Sequence, residues 1–241
     1  MKRFSNIKKT FYNFIIVITV KKEKDLRNFL EEVQHLIKRK ILIILYFDST
    51  LDKETFFEAI KISTKNKNVI VKKDKSVKNL ADAYFKAYKF ASSFNCKWVI
   101  SMNAGWRHDP KDLKKFFKLF NSKFLCVWGY RDNLSNKSNF LRKLVSILGN
   151  SLSNFFLSIN IKDLTSGFYM IEKNVLKNKL LKMNGFISKS HFIDTELKYY
   201  LKNKKFTQVK IKYKSPNKQL PLKNIFDSLK TLLFLFLKRI I

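Results

Sequence analysis

The stretch Lys97-Trp98-Val99-Ile100-Ser101-Met102 is apolar enough for a buried strand, and it stops abruptly at Asn103-Ala104-Gly105-Trp106-Arg107-His108-Asp109-Pro110. Small residues followed by proline make a turn, and the carboxyl end of a strand is where open α/β sheets place their ligands. Asn103 and Gly105 supply no anionic ligand for a hard cation at this turn. Arg107 supplies a planar, permanently charged fork suited to phosphate oxygens; it is either an anion contact or an exposed arginine in a turn.

A turn of this kind needs a sheet to position it. Apolar, β-branched runs alternate with segments of helical period: strand Phe14–Val20, helix Lys24–Lys38, strand Ile41–Phe47, helix Lys53–Thr64, strand Asn68–Lys72, helix Ser76–Phe94, strand Trp98–Met102, helix Pro110–Phe120 and strand Phe124–Trp128. Continuous apolar strands separated by helices predict a mainly parallel sheet covered on both faces, a doubly wound α/β architecture. Asp52 or Thr50 is placed to cap the helix that begins at Lys53. The segment from Ser138 to Asn160 is helical, with Leu141, Leu144, Val145, Leu148, Leu152, Phe155 and Phe156 at helical spacing; it either faces the core or lies at a membrane interface. Strand Gly167–Ile171, helix Ile193–Leu201 and strand Thr207–Tyr213 complete the domain, assigned to residues 1–220. Residues 221–241 form an amphipathic C-terminal helix whose uninterrupted apolar run is far short of the roughly 20 residues that span a bilayer, so it lies on a membrane surface or packs on the domain.

The 241 residues carry a net charge of +32, which raises a polyanionic partner, nucleic acid or an anionic membrane. Only seven of the 50 basic residues are arginine, and the lysines are scattered through every segment, so the charge reads as compositional drift and no specific nucleic-acid partner is expected. Cys96 and Cys126 are too few for a disulfide framework and lack metal-ligand spacing, which places the chain in a reducing cytosol. The apolar run Phe14–Val20 is too short to span and has no cleavage site after it, so it is a first strand rather than a signal peptide.

Several segments fall in the order of a known family's motifs. Phe47-Asp48-Ser49-Thr50-Leu51-Asp52 resembles Asp-Asp-Gly-Ser-x-Asp, and Leu80-Ala81-Asp82-Ala83 begins a match to Leu-Gly-x-Ala-x-x-x-Gly. Asn103-Ala104-Gly105 stands where Asp-Ala-Asp is usual, with His108 and Pro110 kept beyond it. Gly129-Tyr130-Arg131, Ser146 with Asn150, Asp163-Leu164-Thr165-Ser166-Gly167-Phe168 and Asp194-Thr195-Glu196-Leu197 follow in register. Over roughly residues 14 to 230 the chain resembles the inverting family-two glycosyltransferases of GT-A fold, most closely those that transfer a sugar to dolichyl or polyprenyl phosphate.

That resemblance implies a Rossmann-like sheet, a nucleotide-sugar donor and a lipid-phosphate acceptor at the cytoplasmic face of an anionic membrane. Asp48 and Asp52 would bind the base and ribose of the donor, with Asn103 and Gly105 beside its diphosphate. Thr165, Ser166, Glu196 and Lys218 would lie near the acceptor phosphate, unless Glu196 is only an i,i+4 partner of Tyr200 and its neighbours' charges, and Arg131 would clamp an anion unless it is simply solvated. Gly167 would meet a backbone demand for positive φ. The family ordinarily holds Mg²⁺ or Mn²⁺ between carboxylates and phosphate oxygens. Here both carboxylates of that motif are absent, Phe47 replaces an Asp, Asn79 and Ala81 replace glycines, and Tyr169 replaces an Arg, so no metal ligand is assigned. Arg107 would take the cation's place against the diphosphate, giving metal-independent transfer. The alternative is an inactive chain of the same fold, kept as a membrane-associated binding protein.

Overall fold

A computed structural model describes residues 7–36, 40–48, 50–131, 140–214 and 221–240. Its centre is a seven-stranded sheet whose strands are β1 (Tyr12–Val20), β2 (Ile41–Phe47), β3 (Val69–Lys73), β4 (Cys96–Ser101), β5 (Cys126–Arg131), β6 (Tyr169–Glu172) and β7 (Phe206–Ile211), in the spatial order β3-β2-β1-β4-β6-β5-β7. All neighbouring pairs are parallel except those of β6, which runs antiparallel to both β4 and β5.

Alternation along β1 explains why the sheet is covered on both sides. Ile15 and Val17 point into one core with Leu42, Ile44 and Tyr46, while Phe14, Ile16 and Ile18 point into the other with Ile43 and Leu45. The first core is closed by α3 (Leu80–Ser92), α6 (Lys173–Leu181) and α7 (Ile193–Tyr200). The second is closed by α1 (Leu26–His35), which buries Leu26, Phe29, Leu30 and Val33 at helical spacing, and by α2 (Lys53–Lys65) and α4 (Leu113–Phe117). Each fully buried Ile, Leu or Phe contributes roughly 1.5–3 kcal/mol.

The chain leaves β1 towards β2 and β3 on one side and returns to β4 on the other. The crevice beyond the carboxyl ends of β1 and β4 is therefore the topological switch point of the sheet. Because β5 and β7 run parallel to β4, the ends of all three, and the start of β6, open on that same edge.

Four expectations need correction. The helix expected over Pro110–Phe120 is a 3-10 turn, Pro110–Asp112, followed by the short α4. The strand expected from Gly167 starts at Tyr169. Helix α6 was not anticipated: Leu176 and Leu180 are its only buried residues, too few to show a period among lysines and asparagines, and Glu172 starts it by accepting from Val175 N at 2.9 Å. The long helix α5 (Phe140–Leu157) does not turn its apolar face to the core: Ile147, Leu148, Leu152 and Phe155 are exposed, Phe155 at 76%, while Ser153 and Leu157 face inward.

The C-terminal helix α8 (Leu222–Ile240) buries Thr231 and Leu235 and leaves Phe226, Leu229, Leu233, Phe234 and Leu237 outside. It packs beside α5 through an edge-on Phe156–Phe236 contact at 5.1 Å and through Arg239, which donates to the Phe156 carbonyl at 2.8 Å. Among the described residues, no helix is long and apolar enough to cross a membrane.

Candidate functional site

The turn after β4 is held from three directions. Gly105 and Trp106 both adopt positive φ, +71° and +60°; the second is costly for a bulky residue and must be held in place. Trp106 donates from Nε1 to Asp25 at 2.8 Å and meets Phe29 edge-on at 5.7 Å, which staples the turn to α1. Asn103 N donates to His108 Nδ1 at 3.0 Å, so the His108 ring is an acceptor inside the turn. Burial, reinforced by Arg131, pushes His108 down to about 3 and keeps it neutral. It stacks on Phe168 at 5.0 Å and leans on Tyr213, while Lys214 N donates to the Arg107 carbonyl at 3.0 Å.

Asn103 is not free. Its Oδ1 accepts from Tyr84 of α3 at 3.0 Å. Beneath it, Tyr88 donates to Ser101 and bonds Tyr169 across β6, so the Tyr that stands in place of the expected Arg joins a buried run of hydroxyls. Arg107 is exposed, and among the described residues its guanidinium makes no ion pair. Gly105 lies against the carboxylate of Glu23, from the loop after β1, a residue that sequence reasoning passed over inside the run Lys21-Lys22-Glu23-Lys24-Asp25. Burial raises Glu23 above its ordinary range and Arg107 opposes the rise.

At the end of β2, Asp48 accepts from the backbone N and hydroxyl of Thr50 at 2.7 and 2.8 Å, which folds the loop. Asp52 caps α2: its Oδ2 accepts from Thr55 N at 3.0 Å and from the Thr55 hydroxyl at 2.8 Å. These bonds hold Asp52 below its ordinary value, so of its two readings the structure realises the cap.

Arg131, last residue of β5, is a partner of Asp163. Its Nε and Nη2 meet the two carboxylate oxygens at 2.7 and 2.8 Å, its backbone N donates to Oδ2 at 3.1 Å, and Nη2 also reaches Thr165 Oγ1 at 2.6 Å. Burial alone would raise Asp163, but the Arg131 fork and nearby Lys198 bring it down to about 2. Its guanidinium also covers the Tyr213 ring at 5.0 Å, which ties this clamp to the β4 turn. The solvated reading of Arg131 therefore fails, and the anion it clamps in this structure is Asp163.

The Asp163–Phe168 loop is built from inside. Lys198 of α7, fully buried, donates to the carbonyls of Asp163, Leu164 and Ser166 at 3.0, 2.8 and 2.8 Å. Asn150 of α5 accepts from Leu164 N at 2.8 Å. Thr165 is thereby held at the surface, whereas Ser166 is buried and its hydroxyl faces Phe168 N. Gly167 does not adopt positive φ; a Cβ there would come within 3.3 Å of Asp194 Oδ2, so the glycine admits a buried carboxylate. Asp194 Oδ1 has no partner among the described residues, and burial raises Asp194 and lowers Lys198 one turn away.

Of the two readings of Glu196, the structure shows the partner of Tyr200: it is fully buried, its carboxylate bonds Tyr200, and it accepts from Ile187 N at 2.9 Å and Ser188 N at 3.0 Å. Lys218 lies outside the described residues. The structure thus gathers Asp48, Asn103, Gly105, Arg107, Arg131 and Thr165 on one edge of the sheet and assigns Asp52, Ser166 and Glu196 to scaffolding. That Asp194 and Lys198 lie on one face of α7 could have been found from their i,i+4 spacing. Glu23 had no such signal.

The family's divalent cation does not fit what is present. Among the described residues no group of three or more His, Cys, Asp or Glu could hold a metal, and the turn offers one carboxylate beside a guanidinium.

A doubly wound sheet with the β4 turn at its switch point defines an α/β protein whose ligand crevice lies at that edge, and the comparisons narrow the class. Residues 14–179 match the model of glycosyl transferase family 2, so the chain belongs to that family, whose members take the sugar from a nucleotide-sugar donor. Three crystal structures of glucosyl-3-phosphoglycerate synthase from Mycobacterium tuberculosis share its fold. One, with Mn²⁺, UDP and phosphoglyceric acid, is 14% identical with a TM-score of 0.62, covering 93% of this chain and 78% of that one. The other, with Mg²⁺ and UDP, is 12% identical with a TM-score of 0.64, covering 93% and 79%. A third, with Mn²⁺, UDP-glucose and phosphoglyceric acid, has 13% identity, a TM-score of 0.59 and coverage of 93% and 80%. The sheet is thus of the GT-A type. No curated protein matches the chain by sequence.

Proposed function

We propose that this chain transfers a sugar from a nucleotide-sugar donor to a lipid phosphate of the polyprenyl or dolichyl kind, at the cytoplasmic face of an anionic membrane and without a divalent cation. The observation that carries this reading is the convergence of the Arg107 turn and the Thr165 loop on one sheet edge, joined through Tyr213. A phosphate monoester has a second pKa of about 6, so its oxygen is already a nucleophile near neutral pH. It attacks the anomeric carbon as the bond from that carbon to the donor diphosphate breaks, and the nucleoside diphosphate departs with the electron pair. Arg107 offsets the charge that gathers there, and Thr165 donates to the incoming phosphate.

The phosphate-bearing acceptor is favoured by the phosphoglyceric acid in the structural neighbours. The lipid is favoured by the apolar faces that α5 and α8 turn outward side by side, with Lys223, Lys230 and Lys238 on α8 available to anionic headgroups. Domain 1–220 carries the reaction and the segment 221–241 the surface attachment.

The test is transfer of labelled sugar from a panel of UDP- and GDP-sugars, in EDTA, to polyprenyl phosphate in vesicles or to 3-phosphoglycerate in solution. Labelled lipid is the expected result. Label on phosphoglycerate alone overturns the lipid acceptor, and no label with any donor, with or without Mn²⁺, overturns the enzymatic reading.

A further inference from the structure

The backbone of the Asp163–Phe168 loop is oriented by one side chain. Lys198 spends the protons of its ammonium on three carbonyls, those of Asp163 at 3.0 Å, Leu164 at 2.8 Å and Ser166 at 2.8 Å. It is fully buried, with the Trp128 and Tyr169 rings 5.8 and 5.7 Å from the ammonium and Asp194 one turn before it on α7. A trans peptide points its N–H away from its carbonyl, so carbonyls drawn inward turn the N–H groups that follow them outward. Leu164 N obeys that rule: it leaves on the opposite side and donates to Asn150 of α5 at 2.8 Å. Thr165 N comes next; its residue is exposed, and among the described residues no acceptor meets it. The Thr165 hydroxyl is already occupied, since it donates to Asp163 Oδ1 at 3.2 Å and accepts from Arg131 Nη2 at 2.6 Å.

We infer that Lys198 is the positioning residue of the acceptor site: its ammonium fixes the peptides of the loop so that Thr165 N–H faces the crevice and donates to the acceptor phosphate. The inference rests on the reading that this loop receives that phosphate, and it gives the donor role to the Thr165 backbone rather than to its hydroxyl. A backbone N–H held from behind has no rotamer to freeze when the anion arrives, and oriented amides of this kind make anion-binding concavities. A charged donor holds its carbonyls more firmly than a neutral one. Burying an ammonium is costly without partners, and the three carbonyls together with the Asp194 carboxylate supply them.

The experiment follows transfer of labelled sugar to polyprenyl phosphate in vesicles by the full-length chain, in whichever of EDTA and Mn²⁺ supports turnover. KM is read separately for acceptor and donor, and UDP and GDP binding is measured by calorimetry. Lys198→Met, which keeps the length of the side chain and none of its donors, is expected to raise the acceptor KM about tenfold and to leave the donor KM and nucleotide binding as in the wild type. Lys198→Gln, a neutral amide with N–H donors for part of the set, should fall between the two. Thr165→Ala keeps the N–H and loses the hydroxyl, so it should cost the acceptor less than Lys198→Met does. Asn150→Ala, at a half-buried position, frees the same peptides from the N–H side; it too should raise the acceptor KM, and it carries the test where the Lys198 variants fold poorly. An unchanged acceptor KM in the Lys198 variants, or in Asn150→Ala where those do not fold, overturns the inference. So do donor and acceptor affinities that fall together, the mark of a merely structural role, and a loss in Thr165→Ala greater than that in Lys198→Met. A wild type that labels no lipid overturns the parent reading instead.

Discussion

Asp163 and Arg131 form a two-pronged ion pair on the functional edge, in which Asp163 is buried and Arg131 half-buried. Asp163→Asn leaves the Arg131 charge without its counter-ion; because the guanidinium keeps some access to water, the cost falls below the roughly 3–5 kcal/mol of a fully buried pair, and it should appear as a lower urea midpoint. The pH dependence follows from the direction of the shift. A carboxyl held at about 2 in the folded chain adds stability that is fully present above its unfolded value of about 3.9, and loses it as pH falls through the folded value. Urea midpoints of the wild type should therefore drop between about pH 4 and pH 2, and Asp163→Asn should flatten that drop. The resemblance to family motifs brought out Arg131 and Thr165 in separate roles, and Asp163 only as a member of the motif that holds Thr165. It did not reveal that Arg131 is spent on Asp163, since a fork between residues 32 apart depends on β5 and the β6 loop meeting in space. Glu196 misled for the same reason: its motif is intact, but the backbone N–H groups it serves belong to a loop nine residues earlier.

Among the elements, the strands were the most legible, because burial on both faces leaves a short, β-branched apolar run bounded by polar turns. Helices with one thin buried stripe, such as α6, were not, and the outward apolar face of α5 has the same period as an inward one. Helix α8 carries a connection that no periodicity announces. Asp227 accepts from the Ser188 hydroxyl at 2.8 Å and from Lys189 N and Ser190 N at 3.1 Å, fastening α8 to the loop that leads into α7. Asp227→Ala should raise amide hydrogen exchange across residues 187–190 and lower stability by about 1 kcal/mol, since only the Ser188 donor is buried and the others regain water. Unchanged exchange there would mean that Glu196 alone holds the loop.

At the level of the whole molecule, charge and apolar surface act together: the net charge of +32 is spread over the chain, while the exposed apolar side chains concentrate on α5 and α8. Phe226→Asp with Leu233→Asp should release the protein from vesicles containing anionic lipid, each nearby basic residue having contributed roughly 1 kcal/mol, and high salt should release the wild type as well. Retention of the double variant would place the attachment elsewhere. The central claim, that a guanidinium serves the donor diphosphate where relatives of the same fold bind Mn²⁺ or Mg²⁺, is reached most directly by one measurement: the rate of sugar transfer to vesicle-borne polyprenyl phosphate in EDTA, wild type against Arg107→Lys. Turnover by the wild type that chelation leaves unchanged, reduced at least tenfold in the variant, is the predicted result. Turnover that EDTA abolishes and Mn²⁺ restores would contradict it.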